Sequence, residues 1–315
     1  MKVLVTGGTG YLGRAVVRAL HAAGHDVVLY SRTASTSGLP GTAVDGDVRD
    51  GERLNDACDG CEAILHGAAL VATWRRRSSE FDDVNVGGLA HVLEAARRRD
   101  VRRVVYTSSF MALRPAGLAA APTWNDYQRT KAAGDALAEG AARRGAPLVR
   151  LYPGVIYGPG RVTQGNLVGG MVADHLKGRL PGIVGADRIW SFTYIDDVAA
   201  AHVAALEKGP DGARYPLGGV NAAQLRVFEI VHRLTGRRPP RRLPGWTASA
   251  AAFTWELMAS WFGRSPLLTT GTLEILLRDW PLDHAQASED LGYTVTPLED
   301  GVERMVRAIQ SAPPA

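Results

Sequence analysis

Two side chains of this sequence are spaced to act together on a proton, Tyr127 and Lys131. They fall in a segment that we predict to be helical, where residues four positions apart project from the same face. A free phenol has a pKa of about 10, which is too high for a proton shuttle at neutral pH. We expect the Lys131 ammonium to stabilise the phenolate and lower that pKa, so that the pair can protonate or deprotonate a substrate oxygen.

A hydroxyl upstream of this pair is predicted to complete the site. Residues 104–109 have the pattern of a buried strand that ends in hydroxyl side chains. Ser109, with Ser108 as the alternative, can hydrogen-bond a substrate oxygen as that oxygen gains charge. A tyrosine and a lysine four residues apart often form an ordinary surface pair, so the hydroxyl-bearing strand is what favours the catalytic interpretation.

The first residues carry a glycine-rich loop between a β-branched run and a helical segment. Glycines permit a tight turn and a close approach of backbone N–H groups to a pyrophosphate, and the helix N-terminus adds a favourable dipole. The order strand, loop, helix therefore predicts a dinucleotide site. The predicted contacts from this loop are Gly7, Thr9, Gly10, Tyr11, Leu12 and Gly13.

The end of the second predicted strand indicates which dinucleotide binds. Ser31 and Arg32 stand where proteins that prefer NAD usually place an acidic residue for the ribose hydroxyls. Ser31 does not repel a 2′-phosphate and Arg32 can pair with it, so NADP(H) is favoured, with NAD(H) as the alternative. After the third predicted strand, Asp47 is expected to accept from the adenine amino group and Val48 to lie against the ring.

These segments must be positioned by the elements around them, and the first two-thirds of the chain alternate short apolar runs with helical stretches. This alternation predicts a parallel sheet covered by helices on both faces, an α/β Rossmann-like doubly wound core. One of the predicted helices is long and spans residues 81–98. We expect residues 1–155 to form the dinucleotide-binding domain. Residues 156–315 are expected to form a smaller C-terminal substrate lobe, with a soft boundary because part of this segment returns to the sheet.

Composition excludes a disordered, collagen-like or coiled-coil chain. The chain has 315 residues, 46% of them hydrophobic and 22% charged, as in ordinary globular proteins. Its net charge of +4 comes from scattered arginines rather than a basic stripe, so no nucleic-acid partner is expected. Cys58 and Cys61 lack the further ligands of a zinc site, and no metal is expected.

No apolar run reaches the roughly 18 residues of a transmembrane helix, so we predict a cytoplasmic protein without a signal peptide or a transmembrane segment. The nearest approach is residues 246–262, which Glu256 interrupts. We expect this segment to cover a pocket, with contact to a membrane surface as the alternative. A homodimer is plausible from the sequence.

Taken together, these motifs resemble the extended short-chain dehydrogenase/reductase family, in its epimerase/dehydratase-like branch. The resemblance covers nearly the whole chain and is similarly clear at residues 66–69, 85–96, 152–160 and 192–199. It implies that Ser109, Tyr127 and Lys131 are catalytic. It also implies further cofactor contacts at Ala68, Ala69, Thr107, Tyr127, Lys131, Pro153 and Val155. Within the family, residues 56–61, 106–110 and 178–182 are most similar to dihydroflavonol-reductase-like proteins and plant farnesol dehydrogenase.

Nucleotide-sugar epimerases share this framework and are the main alternative. Their motif before the late helix typically carries an arginine that holds a substrate phosphate. Here Trp190 and Ser191 occupy the matching positions, and Arg188 is out of register. A buried diphosphate without cationic partners would be unfavourable. A non-catalytic dinucleotide sensor or assembly factor is a third hypothesis, disfavoured because the complete catalytic set is present.

Apolar side chains expected near the cleft favour a lipophilic substrate. They are Trp74, Phe110, Met111, Trp190 and Phe192. We therefore predict an oxidoreductase that moves a hydride between NADP(H), or NAD(H), and an apolar alcohol, ketone or aldehyde such as a prenyl alcohol or an aryl ketone.

Overall fold

The structure is a computed structural model, and it describes residues 1–115, 122–262, 266 and 268–311. The strands, in chain order, are β1 (Lys2–Thr6), β2 (Asp26–Ser31), β3 (Thr42–Asp45), β4 (Ala63–His66), β5 (Arg103–Thr107), β6 (Leu148–Pro153), β7 (Val155–Tyr157), β8 (Ile183–Val184), β9 (Ile189–Tyr194), β10 (Arg214–Leu217), β11 (Val220–Ala223) and β12 (Arg242–Leu243). The helices are α1 (Tyr11–Ala22), α2 (Gly51–Ala57), α3 (Ser79–Asp82), α4 (Gly88–Arg98), α5 (Asp126–Arg143), α6 (Leu167–Leu176), α7 (Ile195–Lys208), α8 (Gln224–Thr235), α9 (Gly245–Phe262), α10 (Thr270–Leu276), α11 (Ala285–Leu291) and α12 (Leu298–Ser311).

A seven-stranded parallel sheet forms the body of the protein. Its strand order is β10-β6-β5-β4-β1-β2-β3. The chain first builds the sheet outward from β1 to β3 and then restarts on the other side at β4. The point of reversal, between β1 and β4, is where sheets of this kind bind ligands beyond the carboxyl ends of the strands. The predicted Rossmann-like α/β fold is confirmed.

Alternation of side chains along the strands fills both faces of this sheet. Val3 and Val5 lie in one buried cluster with residues of α1 and α7. Leu4, between them, points to the other face and packs in a cluster with Ile64 and Val104 and with residues of α4. Because both faces are covered, the central strands of the sheet are largely apolar and buried.

Residues beyond 156 contribute to this sheet and also build a second lobe. Strand β10 pairs with β6 and extends the main sheet. Helix α7 packs along α1 and covers one face of that sheet. The smaller sheet, β11-β9-β7, has a core of its own beside α6, α8 and α12. Trp190 and Phe192, both on β9, belong to that core.

Two sequence features outside the cleft can now be placed. Cys58 and Cys61 are buried as free thiols at the end of α2. Among the described residues, no helix combines the length and the apolarity needed to cross a membrane. The segment singled out for its apolar character, residues 246–262, corresponds to α9.

Candidate active site

Helix α5 presents Tyr127 and Lys131 to one cavity at the carboxyl edge of the sheet. The helix begins after Asn125, whose side chain accepts from the N–H of Gln128 and caps the first turn. Tyr127 therefore lies in that first turn, and Lys131 lies one turn later on the same face. Both line a cavity of about 910 Å³ that also reaches the glycine loop.

Lys131 is buried, and its ammonium donates a hydrogen bond to the main-chain oxygen of Thr107 at 3.0 Å. Burial lowers the pKa of this lysine to about 8, while the negative charge of Asp135, one turn further along α5, acts in the opposite direction. Asp135 in turn accepts from the hydroxyl of Tyr152 at 2.6 Å. The hydrogen bond to Thr107 thus ties the Lys131 side chain to the end of β5.

Tyr127 departs from the expectation for its acidity. The residue is partly exposed, but its phenol end is desolvated, and this burial raises its pKa to about 12; the Ser109 hydroxyl acts in the lowering direction. The Lys131 ammonium lies 6.0 Å from the centroid of the Tyr127 ring. The predicted lowering of the phenol pKa by Lys131 was therefore wrong for this structure, because desolvation raises that pKa and Lys131 is not among the groups that shift it.

Ser109 follows β5 and is nearly buried in the same cavity. Its hydroxyl accepts from the N–H of Met111 at 3.2 Å and caps a short 3₁₀ turn, Phe110–Ala112. This contact fixes the Ser109 rotamer while leaving its own O–H free to donate toward the cavity. Ser108, the alternative, also lines the cavity, and its hydroxyl is buried without a protein partner among the described residues.

The glycine loop is shaped by close backbone contacts. Gly7 has a φ of +74°, and a Cβ there would lie 2.5 Å from the backbone nitrogen of Ala68. A Cβ on Gly13 would lie 2.1 Å from the carbonyl oxygen of Gly7. The first turn of α1 carries no side-chain cap, so its N–H groups are available to an anion. This cradle fits the pyrophosphate of a dinucleotide.

All the residues predicted to contact the cofactor line this cavity. Beyond the glycine loop, Tyr127 and Lys131, they are Ser31, Arg32, Asp47, Val48, Ala68, Ala69, Thr107, Pro153 and Val155. Asp47 has a partner that the sequence reasoning missed, since Arg49 binds both of its carboxylate oxygens, at 3.0 and 2.7 Å. This hydrogen-bonded pair lowers the pKa of Asp47 and offsets its charge.

The predicted substrate residues divide into two groups. Phe110, Met111 and Trp190 line the cavity, together with an apolar wall that includes Leu70, Ile275 and Leu276. The prediction for Phe192 was wrong: its ring is buried in the core of the second lobe against Tyr157. Trp74 is likewise absent from the lining, although its neighbours Thr73 and Arg75 belong to it.

Asn85 is a further site element that was treated only as part of a helix. The predicted helix over 81–98 is interrupted by a π-helical turn, Asp83–Gly87, which carries this residue inward. Its buried side chain accepts from the N–H of Leu70 at 2.7 Å and donates to the hydroxyl of Thr130 at 2.9 Å. Asn85 thereby ties the loop after β4 to helix α5, between Tyr127 and Lys131.

With this geometry established, comparison with known proteins defines the family. The model of the NAD dependent epimerase/dehydratase family matches residues 3–218, a range that includes all seven strands of the main sheet except Lys2. The chain belongs to this family. The predicted resemblance is confirmed at this level.

Curated relatives agree with an NAD(P)-dependent oxidoreductase. Sterol demethylase protein B of Methylococcus capsulatus is 37% identical over 256 residues, 76% of each chain. The 2-alkyl-3-oxoalkanoate reductase of Stenotrophomonas maltophilia is 33% identical over 97% of this chain and 98% of its own. A Synechocystis protein with a dihydroflavonol 4-reductase name is 26% identical over 98% of this chain and 94% of its own.

Among solved structures, the protein gox2253 superposes with a TM-score of 0.82 at 28% identity, covering 98% of this chain and 97% of its own. The family and these relatives support an enzyme that uses a nicotinamide dinucleotide for oxidoreduction. The substrate and the preference between the two dinucleotides are finer questions, which depend on the residues described above.

Proposed function

We propose that this protein reduces the carbonyl group of a compound with a large apolar body, using NADP(H) in preference to NAD(H). One observation carries the proposal. A single cavity of about 910 Å³ is lined by the glycine loop, by Ser109, Tyr127 and Lys131, and by the apolar wall at Leu70, Ile275 and Leu276. A site of this kind combines an anion cradle, a proton donor and a surface suited to hydrocarbon.

The chemistry assigned to the residues follows from their hydrogen-bonding capacity. A dinucleotide held at the glycine loop would supply the hydride to the carbonyl carbon. Ser109 donates a hydrogen bond to the carbonyl oxygen as it becomes negative, and Tyr127 transfers its phenolic proton to that oxygen. Burial raises the pKa of Tyr127 to about 12, so the phenol is protonated at neutral pH and can act as the proton donor. The buried Lys131 ammonium stabilises the phenolate left behind.

The proposed preference for NADP(H) is supported by the charges at the end of β2. Ser31 and Arg32 line the cavity where an acidic residue would select NAD(H). The acid that lines the cavity nearby, Asp47, is held by Arg49, so a 2′-phosphate would meet a region that is cationic on balance. A guanidinium is well suited to bind such a phosphate.

Arg75 refines the proposed substrate. It lines the cavity, and it donates a hydrogen bond to the main-chain oxygen of the adjacent Trp74, at 3.3 Å. The guanidinium therefore retains donors for a carboxylate in this cavity. The relative from Stenotrophomonas maltophilia is named for an oxo acid with an alkyl branch. We assign to Arg75 the carboxylate of an apolar oxo acid.

A substrate comparison tests this proposal. Purified protein is mixed with NADPH or NADH and with a 2-alkyl-3-oxo acid, an aryl ketone, a prenyl aldehyde or a UDP-sugar, and loss of the reduced nicotinamide is followed by absorbance. We expect turnover of the oxo acid to be highest. Arg75→Met should raise KM for the oxo acid about tenfold or more and leave the neutral ketone unchanged. Arg76→Met, an exposed neighbour outside the cavity, is the control.

Two outcomes would overturn the proposal. Conversion of the UDP-sugar to its epimer, which consumes no reduced nicotinamide and is followed by chromatography, with no turnover of the carbonyl compounds would support the epimerase alternative. Little supports that alternative, because Trp190 and Ser191 supply no cation for a substrate phosphate and the Arg188 side chain lies 3.6 Å from Asp279 and does not line the cavity. Tight dinucleotide binding without turnover of any compound would instead support a sensor.

A further inference from the structure

In helix α9 the small residues face the protein and the large apolar residues face solvent. This is the reverse of the arrangement in a helix that packs on a protein core. Ala248 and Ala252, one turn apart, are 6% and 0% exposed and face the second lobe. Trp246 and Phe253, seven residues apart and therefore on one face, are 75% and 65% exposed. Met258, further along the helix, is 52% exposed. Apolar side chains of this size are seldom clustered on solvent without a binding role.

The one charged residue of α9 does not interrupt this face. Glu256 accepts hydrogen bonds from the N–H and the hydroxyl of Thr270, at 3.0 and 3.2 Å, at the N-terminal end of α10. Two further residues lie on the outward side between Trp246 and Phe253, and both are small: Ser249 and Ala250. The outward side of the helix is therefore apolar or weakly polar and carries no charge that would oppose burial in hydrocarbon.

The chain leading into α9 is strongly basic. Arg237, Arg238 and Arg241 are exposed, and none of them forms an ion pair with another described residue. The fourth arginine of this segment, Arg242, forms an ion pair with Asp187 at 2.7 Å. Three uncompensated guanidinium groups thus precede Trp246 within nine residues. A tryptophan next to arginines is typical of segments that lie at the interface between lipid headgroups and acyl chains.

We propose that this region docks onto an anionic lipid bilayer. We call it the α9 surface and define it by the exposed residues named above: Arg237, Arg238, Arg241, Trp246, Phe253 and Met258. The aromatic and methionine side chains enter the apolar edge of the bilayer, and the arginines pair with its acidic headgroups. Charge complementarity decides for this occupant over a second copy of the chain, because two copies would bring the same arginines together.

The position of α9 gives docking a consequence for catalysis, which rests on the proposed function. Helix α9 packs against α10, and α10 lines the active-site cavity through Thr272, Ile275 and Leu276. The element that would contact lipid is thus one helix removed from the apolar wall. An apolar oxo acid dissolved in the bilayer would reach the protein on the side where its cavity is apolar.

Vesicle flotation tests the docking directly. Wild-type protein is mixed with vesicles of phosphatidylcholine alone or of phosphatidylcholine with phosphatidylglycerol. We expect binding to the anionic vesicles at least tenfold tighter, and weaker again at high salt. The combined change Arg237→Ser, Arg238→Ser and Arg241→Ser should weaken it about 100-fold. Trp246→Ser with Phe253→Ser should weaken it by about tenfold or more.

Matched controls separate docking from general surface effects. Arg18→Ser with Arg144→Ser removes two exposed arginines elsewhere, and Val162→Ser removes an exposed apolar side chain elsewhere; neither should alter flotation. Tyr127→Phe should bind vesicles like the wild type, so a failure of the proposed reaction leaves the docking result intact. Equal binding to neutral vesicles, or a dimer that is abolished by the Trp246 and Phe253 changes in a protein that ignores vesicles, would overturn the proposal.

Discussion

The Lys131 ammonium lies 6.0 Å from the centroid of the Tyr127 ring, and burial shifts the pKa values of these two groups in opposite directions, away from each other. The phenol is held at a pKa of about 12 and the ammonium at about 8. At neutral pH both groups therefore carry their protons. In this state the phenol can donate its proton to a carbonyl oxygen, and the charged ammonium can stabilise the phenolate that forms.

Tyr127→Phe tests the role of the phenol as the proton donor. The ring and its packing are retained, so the dinucleotide affinity should remain within about twofold of the wild type. Turnover should fall by about 10²- to 10⁴-fold, the usual contribution of a positioned acid. Dinucleotide affinity is measured by calorimetry and turnover by nicotinamide absorbance. A variant with normal turnover would rule out Tyr127 as the acid.

Lys131→Met is expected to be inactive and yet more stable than the wild type at pH 7. The folded pKa of about 8 lies below the ordinary value of 10.5, so the buried ammonium destabilises the folded state wherever it is charged. At about 1.4 kcal/mol for each pKa unit, the cost is up to about 3 kcal/mol below pH 8. As the pH rises from about 8 to 10.5, the folded protein loses this proton first and the wild type gains stability.

Urea unfolding of both proteins at a series of pH values checks this sign. The advantage of Lys131→Met in free energy of unfolding should be largest at pH 7 and shrink steadily above pH 8. The exposed Lys177 supplies a control, since Lys177→Met should change stability little at any pH. A destabilised Lys131→Met at pH 7 would show that the hydrogen bond to Thr107 outweighs the cost of burying the charge.

The features that could be predicted from sequence are those with a local signal. The glycine spacing, the alternation of strands and helices, and the helical spacing of Tyr127 and Lys131 depend on residues that are close in the chain. The position of Ser109 in the cavity could also be predicted, because the carboxyl ends of parallel strands meet at one edge of the sheet. Each of these features follows from regular backbone geometry, which short-range sequence patterns indicate.

What could not be predicted depends on contacts between distant residues. Trp190 and Phe192 are two residues apart on β9 and therefore lie on the same side of the strand. Phe192 is covered by Tyr157 from another strand, whereas Trp190 reaches the cavity. Arg75 stands in a run of three arginines, and nothing in that run distinguishes the one that lines the cavity. The acidity of Tyr127 depends on desolvation, which only the assembled lobe produces.

Arg32→Ala tests the choice of dinucleotide. If Arg32 binds the 2′-phosphate, kcat/KM for NADPH should fall about 10- to 100-fold, the usual range for a lost hydrogen bond to a charged group. The value for NADH, which lacks that phosphate, should change little and serves as the internal control. Ser31→Asp should shift the preference in the same direction by repulsion. A wild-type enzyme that already prefers NADH would contradict the assignment.

Two glycines of the cofactor loop should respond differently to the same added methyl group. A Cβ on Gly13 would lie 2.1 Å from the carbonyl oxygen of Gly7, so Gly13→Ala forces the backbone apart and should lower the free energy of unfolding by about 1–3 kcal/mol. A Cβ on Gly10 meets only that same oxygen, at 3.2 Å, and points into no packed group. Gly10→Ala should therefore fold almost normally but bind the dinucleotide weakly, because Gly10 lines the cavity where the pyrophosphate would lie. Thermal unfolding and calorimetric titration with NADPH separate the two effects, and equal losses of stability in both variants would contradict this account of the loop.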